Sequence, residues 1–281
     1  MPGKLILCAT PIGNLEDMSP RAVATLGEAD IVACEDTRRA RKLFSHFGLS
    51  VREMVVYNEA TEQRKAADLV RQIAAGRTVV LISDAGMPGL SDPGYRLVTL
   101  CVEQGLEVGV VPGPNAAVSA LVISGLPPGR FVFEGFLPRK RGDRRRRFET
   151  LRDEARTIVF YESPHRIAES LEDLRDVLGD RPVALARELT KMYEEVRRGS
   201  ASEVLATVRE EPPRGEMVVV VQGAVHESKP EPTAEELASK ARALMDTGVP
   251  RKEAMAQVAR ETDVSKKKVF DALVGSKEEG A

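Results

Sequence analysis

Short apolar runs alternate with helical segments through the first half of the chain, and that alternation is what most limits its fold. Leu5–Ala9, Ile31–Cys34, Val79–Ile82 and Val108–Val111 are apolar, largely β-branched and only a few residues long, so they read as buried strands. Between them Ser19–Gly27, Thr37–Phe47, Thr61–Ala75 and Tyr95–Glu103 carry helical spacing. Ser19 before Pro20 is a helix start, because a serine cap precedes a residue whose fixed φ already suits the first turn. Strands joined by helices form a mostly parallel sheet covered by helices on both faces.

The pattern then restarts. A helix over Ala116–Ser124 runs into Gly125-Leu126-Pro127-Pro128-Gly129, a breaker cluster that marks a boundary. Strands follow at Phe131–Phe136, Thr157–Tyr161, Val183–Arg187 and Met217–Val221, with an amphipathic helix over Arg166–Leu178. Glu194–Gly199 and Ser202–Val208 read as a further strand and helix, and His226–Pro232 as a polar linker. Beyond it lie three helical segments, Thr233–Asp246, Arg251–Thr262 and Ser265–Val274. The last two have the layout of a helix-turn-helix, opening on Lys266-Lys267-Lys268. The expected organisation is an N-terminal α/β domain over 1–124, a second over 125–225 and a small helical domain over 233–276.

The loop Ser83–Gly94, just after the Val79–Ile82 strand, carries the most chemistry. Open α/β sheets bind ligands at the carboxyl edge of their strands. Three glycines and two prolines give this loop an irregular path, and Asp84 and Asp92 supply acceptors. A phosphate cradle would place a lysine after the glycines, and none stands here. A neutral or cationic ligand suits it better.

Composition narrows the function classes. Hydrophobic residues make up 42% and charged residues 30%, an ordinary globular balance. No apolar run approaches the ~20 residues of a membrane span, and the N-terminus lacks a signal-peptide layout. A cytoplasmic protein with no membrane partner is expected. Cys8, Cys34 and Cys101 are odd in number and form no CxxC pair, while His46, His165 and His226 are scattered, so neither a disulfide framework nor a metal is expected. Net charge is -2, yet Arg139–Arg147 holds seven basic residues against one acid. That run reads as a solvated surface loop whose charge density suits an anionic polymer.

Seven motifs stand in order along the chain: Thr10–Leu15, Cys34–Arg38, the Ser83–Gly94 loop, Val111–Pro114, Tyr161–Arg166, Ala186–Lys191 and Arg214–Val218. Together they closely resemble the ribosomal RNA 2′-O-methyltransferases of the tetrapyrrole methylase-like superfamily. The resemblance implies two α/β domains of that type with S-adenosylmethionine in the cleft between them, a homodimer, and methylation of a cytidine ribose in 16S rRNA of the small ribosomal subunit. It implies cofactor contacts from Pro11, Asp84, Ala85, Gly86, Leu90, Ala116, Tyr161, Glu162, Leu189 and Met217. Read as residues alone, Leu189 and Met217 serve equally as core, and Asp92 as a helix cap.

A ribose hydroxyl is a weak nucleophile at neutral pH, so a proton acceptor is needed. Asp36 and Lys191, both just beyond predicted strands, are the catalytic candidates, the lysine on condition of a lowered pKa. Arg38, Arg139, Lys140, Arg141, Arg144, Arg145, Arg146, Arg147, Lys266 and Lys267 are the candidates for RNA contact. Aromatics amount to 4% with no tryptophan, which argues against an extended base-stacking platform. Two rival readings remain: a methylase of a carboxylate-rich tetrapyrrole, and a non-enzymatic RNA-binding protein that would not bind S-adenosylmethionine.

Overall fold

The computed structural model describes residues 3–225 and 232–278. Residues divide by their contacts into two compact units, 1–224 and 225–281. The linker expected at His226–Pro232 lies, except for Pro232, outside the described residues.

The larger unit holds two five-stranded sheets. The first is built from β1 (Lys4–Cys8), α1 (Pro20–Glu28), β2 (Ile31–Cys34), α2 (Thr37–His46), β3 (Met54–Val56), α3 (Glu62–Ala74), β4 (Val79–Leu81), α4 (Tyr95–Glu103) and β5 (Glu107–Val111). Its order is β3-β2-β4-β1-β5 and its strand pairs are parallel. Every residue of β2 and β4 is buried, the condition of a strand covered on both faces. Leu5, Ile31, Val79 and Leu81 pack with Leu69, Ile73 and Leu97 on one side. Cys8, Val32 and Val80 pack with Leu26 and Phe44 on the other. Ser19 caps α1 by accepting from the Ala22 N–H at 3.1 Å. The strand β3 was not anticipated: it is three half-exposed residues at the sheet edge, too short for a period to register.

The helix α5 (Ala116–Ile123) joins the sheets. It is apolar nearly all round, since Ala117, Ala120 and Leu121 pack with Val159, Val218 and Val220 of the second sheet. That sheet comprises β6 (Phe131–Phe136), α6 (Arg141–Thr150), β7 (Thr157–Glu162), α7 (Ile167–Leu178), β8 (Pro182–Arg187), β9 (Glu195–Ser200), α8 (Ala201–Glu210) and β10 (Met217–Val221). Its order is β6-β7-β10-β8-β9, and only β6 and β7 run parallel. The turn between β8 and β9 is too short for a crossover, which forces an antiparallel pair.

The basic run is not a solvated loop. Most of it forms α6, and Arg144 is fully buried. Its Nη2 lies 2.7 Å from the equally buried Asp173 carboxylate on α7. Arg141 and Arg145 reach the same carboxylate at 2.9 and 3.1 Å, and Arg145 also meets Asp176. Glu169, Asp173 and Asp176 recur at helical spacing, so α7 turns an acidic stripe toward α6.

In the smaller unit α9 (Ala234–Asp246), α10 (Arg251–Glu261) and α11 (Lys266–Glu278) enclose Leu237, Ala241, Val258, Val269 and Leu273. Lys266, Lys267 and Lys268 are exposed in the first turn of α11, where no acid accompanies them.

Candidate functional site

A cavity of about 350 Å³ opens where the carboxyl ends of β2 and β4 meet the second sheet, a size typical of small-molecule sites. The loop after β4 forms one wall. It is tied to the segment after β1 by a two-bond bridge, Thr10 N–H to the Gly86 carbonyl at 2.9 Å and Gly86 N–H to Thr10 at 3.1 Å. Gly86 has φ +83°, a conformation that glycine adopts without strain. Gly94 has φ +153°, and a side chain there would sit 3.0 Å from Leu81 and 3.1 Å from the Gly89 backbone. Those glycines let the loop fold back over the strand it leaves.

Asp84, Ala85, Gly86 and Leu90 line this cavity from the first sheet, and Ala116 from the start of α5. Tyr161, Glu162, Leu189 and Met217 line it from the second. Nine of the ten positions expected to contact cofactor are thus gathered around one space. Pro11 is the exception; it lines an adjoining cavity. Glu162 is buried, and its carboxylate accepts from the Ser170 hydroxyl at 2.6 Å and the Ser163 N–H at 2.7 Å while pairing with Arg166 at 2.5 Å. It shapes the wall, but its acceptor capacity is already engaged.

Phe136 was missed from sequence. It is exposed, lines the cavity, and its ring centroid lies 5.3 Å from that of Tyr161. The β6 register shifts between Phe133 and Phe136, with Gly135 at φ +62°, a bulge of the kind that re-aims a side chain. A glycine inside an apolar strand was the available signal.

Negative charge dominates the lining. Glu35, Asp84, Asp92, Glu162 and Glu216 face Arg39 as the one cation among the lining residues described. Burial pushes the Asp92 carboxyl up to about 7, helped by the charges of Glu35 and Asp84. Glu35 is raised too, chiefly by burial, although its Oε1 accepts from the Asp84 N–H at 3.0 Å. Such crowding of carboxylates is costly without a cation. The donor set fits a sulfonium with an ammonium-bearing tail, and offers little to a phosphate.

The two catalytic candidates do not have the properties asked of them. Asp36 is the cap of α2: it accepts from the Arg38 N–H at 2.8 Å and pairs with the Arg38 guanidinium at 2.8 Å. These contacts hold its carboxyl at about 2, too acidic to take a proton at neutral pH. Partial burial pulls the Lys191 ammonium down, but the hydrogen bonds it donates to Glu188 and Glu216, at 2.9 and 3.1 Å, outweigh it and the net shift is upward. Lys191 is a charged anchor rather than a base. Among the RNA candidates, Arg144 is withdrawn by its burial and its pairing with Asp173. Arg139, Lys140, Arg141, Arg146 and Arg147 are exposed and Arg145 is half-buried, with Arg147 paired to Glu134 and Arg146 to Asp143. Arg38 is exposed beside Asp36.

Two sheets of this order with a ligand-sized, acidic cleft between them define a two-lobed α/β protein that binds a small ligand between its sheets. Among solved structures, a methyltransferase called CobJ matches at TM-score 0.59 and 21% identity, covering 80% of this chain and 95% of that one. A uroporphyrin-III-C-methyltransferase from Thermus thermophilus matches at TM-score 0.53 and 23% identity, over 78% and 94%. A diphthine synthase matches at TM-score 0.58 and 14% identity, over 79% and 91%. Those likenesses speak to the fold, and the three proteins are named as three different enzymes. The model of the tetrapyrrole (corrin/porphyrin) methylases matches residues 4–205, and the chain belongs to that family of methyltransferases. It is 43% identical to the ribosomal RNA small subunit methyltransferase I of Halalkalibacterium halodurans, over 96% of this chain and 94% of that protein. It is 42% identical to the protein of the same name from Synechocystis, over 95% and 96%.

Proposed function

We propose that this chain transfers a methyl group from S-adenosylmethionine to a cytidine ribose 2′-oxygen in 16S rRNA of the small ribosomal subunit. The observation that carries the reading is the carboxylate-rich, lysine-free cavity, in a chain more than two-fifths identical to relatives whose names specify ribosomal RNA. When bound, S-adenosylmethionine supplies a methyl carbon activated by the adjacent sulfonium. The cleft would hold the acceptor hydroxyl against that carbon, and a carboxylate of the wall would take up the hydroxyl proton.

Glu35, Asp84 and Asp92 offset the cofactor's positive charge, while Tyr161, Phe136, Leu189 and Met217 offer apolar surface to its adenosine. Holding both reactants in attack geometry supplies much of the acceleration. Arg139, Lys140, Arg141, Arg146 and Arg147 hold phosphates, as do Lys266 and Lys267, whose charges oppose the α11 dipole until an anion joins them. The reading includes a second copy of the chain: Val102, Val110, Val118 and Val122 are exposed on α4, the edge strand β5 and α5, apolar surface of the kind oligomers cover. The enzyme works in the cytoplasm, where ribosomal subunits are. In this reading the protein is an N-terminal domain over 1–124, a second over 125–225 and a helical domain over 233–276.

Titration calorimetry with S-adenosylmethionine tests the cofactor half. Saturable binding that weakens in Asp84→Ala is expected; a flat titration of the wild-type protein would remove the methyltransferase reading and leave the RNA-binding one.

A further inference from the structure

A second cavity, of about 320 Å³, adjoins the first, and of the ten expected cofactor contacts only Pro11 lines it without also lining the first. It lies between the Thr10–Gly13 segment after β1 and the α2 helix. Ile12, Arg39, Asp84, Ala85 and Glu216 line both cavities, so the two share a wall. We propose that this second cavity receives the acceptor nucleotide of the RNA, unstacked from its neighbours, with Arg39 and Lys42 of α2 on the phosphates that flank it. The inference rests on the methyltransferase reading and adds to it the place of the acceptor.

Three observations carry it. In-line transfer requires donor and acceptor in contact across a shared boundary, about 3–3.5 Å apart at the reacting atoms. Two adjoining cavities with a common wall supply that arrangement, whereas a single cavity of this size does not hold both reactants. The charge balance also shifts along the cleft, from five carboxylates against Arg39 in the first cavity to Asp84 and Glu216 against Arg39 and Lys42 in the second. The first cavity is crowded with carboxylates, but α2 bears Arg38, Arg39, Arg41 and Lys42 and no acid, with all four cations exposed. Arg39 and Lys42 are the two that line the second cavity. Finally, Pro11, Leu43 and Ile82 give that cavity apolar surface. An extruded base needs such a face, and enzymes acting on a nucleotide within a structured polymer commonly take it out of the stack.

The shared wall also explains the company Lys191 keeps. Gly13 lines the second cavity, and a side chain added there would come within 2.4 Å of Lys191 Cγ. Lys191 in turn holds Glu216, one of the two carboxylates on the wall. Asp84, the other, is held by Arg39 at 3.2 Å. Lys191 is therefore a positioning residue for the boundary at which the hydroxyl meets the methyl donor.

The test compares Lys42→Glu, Lys42→Arg and Arg41→Glu, the last on the same helix outside the cavity. Filter binding of 16S rRNA without cofactor, the KM for small subunits in methyl transfer, and calorimetry with S-adenosylmethionine are measured for each. Lys42→Glu is expected to weaken RNA binding and raise KM by about tenfold or more, Lys42→Arg to restore both, and Arg41→Glu to act several times less. Cofactor affinity should stay within about twofold in all three. Equal losses in Lys42→Glu and Arg41→Glu, unchanged RNA binding in Lys42→Glu, or a parallel loss of cofactor affinity would overturn the assignment. A wild-type protein that binds RNA but no S-adenosylmethionine would instead defeat the methyltransferase reading, and the RNA-binding comparison would still decide the role of the second cavity.

Discussion

Arg39 Nη1 stands 3.2 Å from the Asp84 carboxylate, and both side chains line the two adjoining cavities of the cleft. The guanidinium comes from a helix of the first sheet and the carboxylate from the loop after β4. The pair joins the carboxylate-crowded side of the cleft to the side on which α2 adds Lys42.

Asp92 should make cofactor affinity depend on pH. Its carboxyl titrates at about 7, so it is largely neutral at pH 6 and largely ionised at pH 8. A cationic ligand should therefore bind more tightly as pH rises across that interval, and Asp92→Asn should flatten the dependence. Calorimetry at three pH values checks this; parallel curves for the two proteins would contradict it.

The same group affects stability. A folded-state pKa raised above the unfolded value of 3.8 gives stability that is complete below the unfolded value and lost as pH rises through about 7. Asp92→Asn should then melt higher than wild type at pH 8 and close to it at pH 4. Thermal melts without ligand measure the crossover.

Arg144 is predicted to matter for folding rather than for RNA. Removing it leaves Asp173 buried with only Arg141 and Arg145, and breaking such a pair costs roughly 3 kcal/mol. Arg144→Ala should lower the denaturation midpoint sharply. Replacing Arg139, Lys140 and Arg146 with Ala should leave the midpoint nearly unchanged while reducing the salt slope of RNA binding by about 0.7 for each phosphate no longer neutralised. A stable Arg144→Ala protein with weakened RNA binding would contradict this division.

Gly13→Ala should displace Lys191, because the added methyl would fall 2.4 Å from its Cγ. Overpacking against a flexible side chain costs about 1 kcal/mol. Methyl transfer should fall further than stability does, since Glu216 loses its anchor. Equal, small effects on both would remove Lys191 from the account.

The first sheet was legible because β2 and β4 are buried on both faces and its helices keep a clear apolar period. The cavity was legible through the Ser83–Gly94 loop, whose glycines and missing lysine are local properties. What escaped was set by side-chain pairings and local backbone geometry that periodicity does not carry. The α6 arginines are basic on any reading, and only the stripe of Glu169, Asp173 and Asp176 on α7 decides that Arg144 is core. Asp36 and Lys191 occupy the expected places after their strands, yet Arg38, Glu188 and Glu216 fix their protonation the wrong way for a base. The Phe136 ring reaches the cleft through a bulge that periodicity does not register.

The most direct test supplies small ribosomal subunits from a strain lacking this chain with the purified protein and methyl-labelled S-adenosylmethionine, then maps ribose methylation in the 16S rRNA by mass spectrometry. The account predicts label in 2′-O-methylcytidine at a single position, absent without the protein. Unlabelled rRNA, with label appearing instead in an added tetrapyrrole, would contradict it.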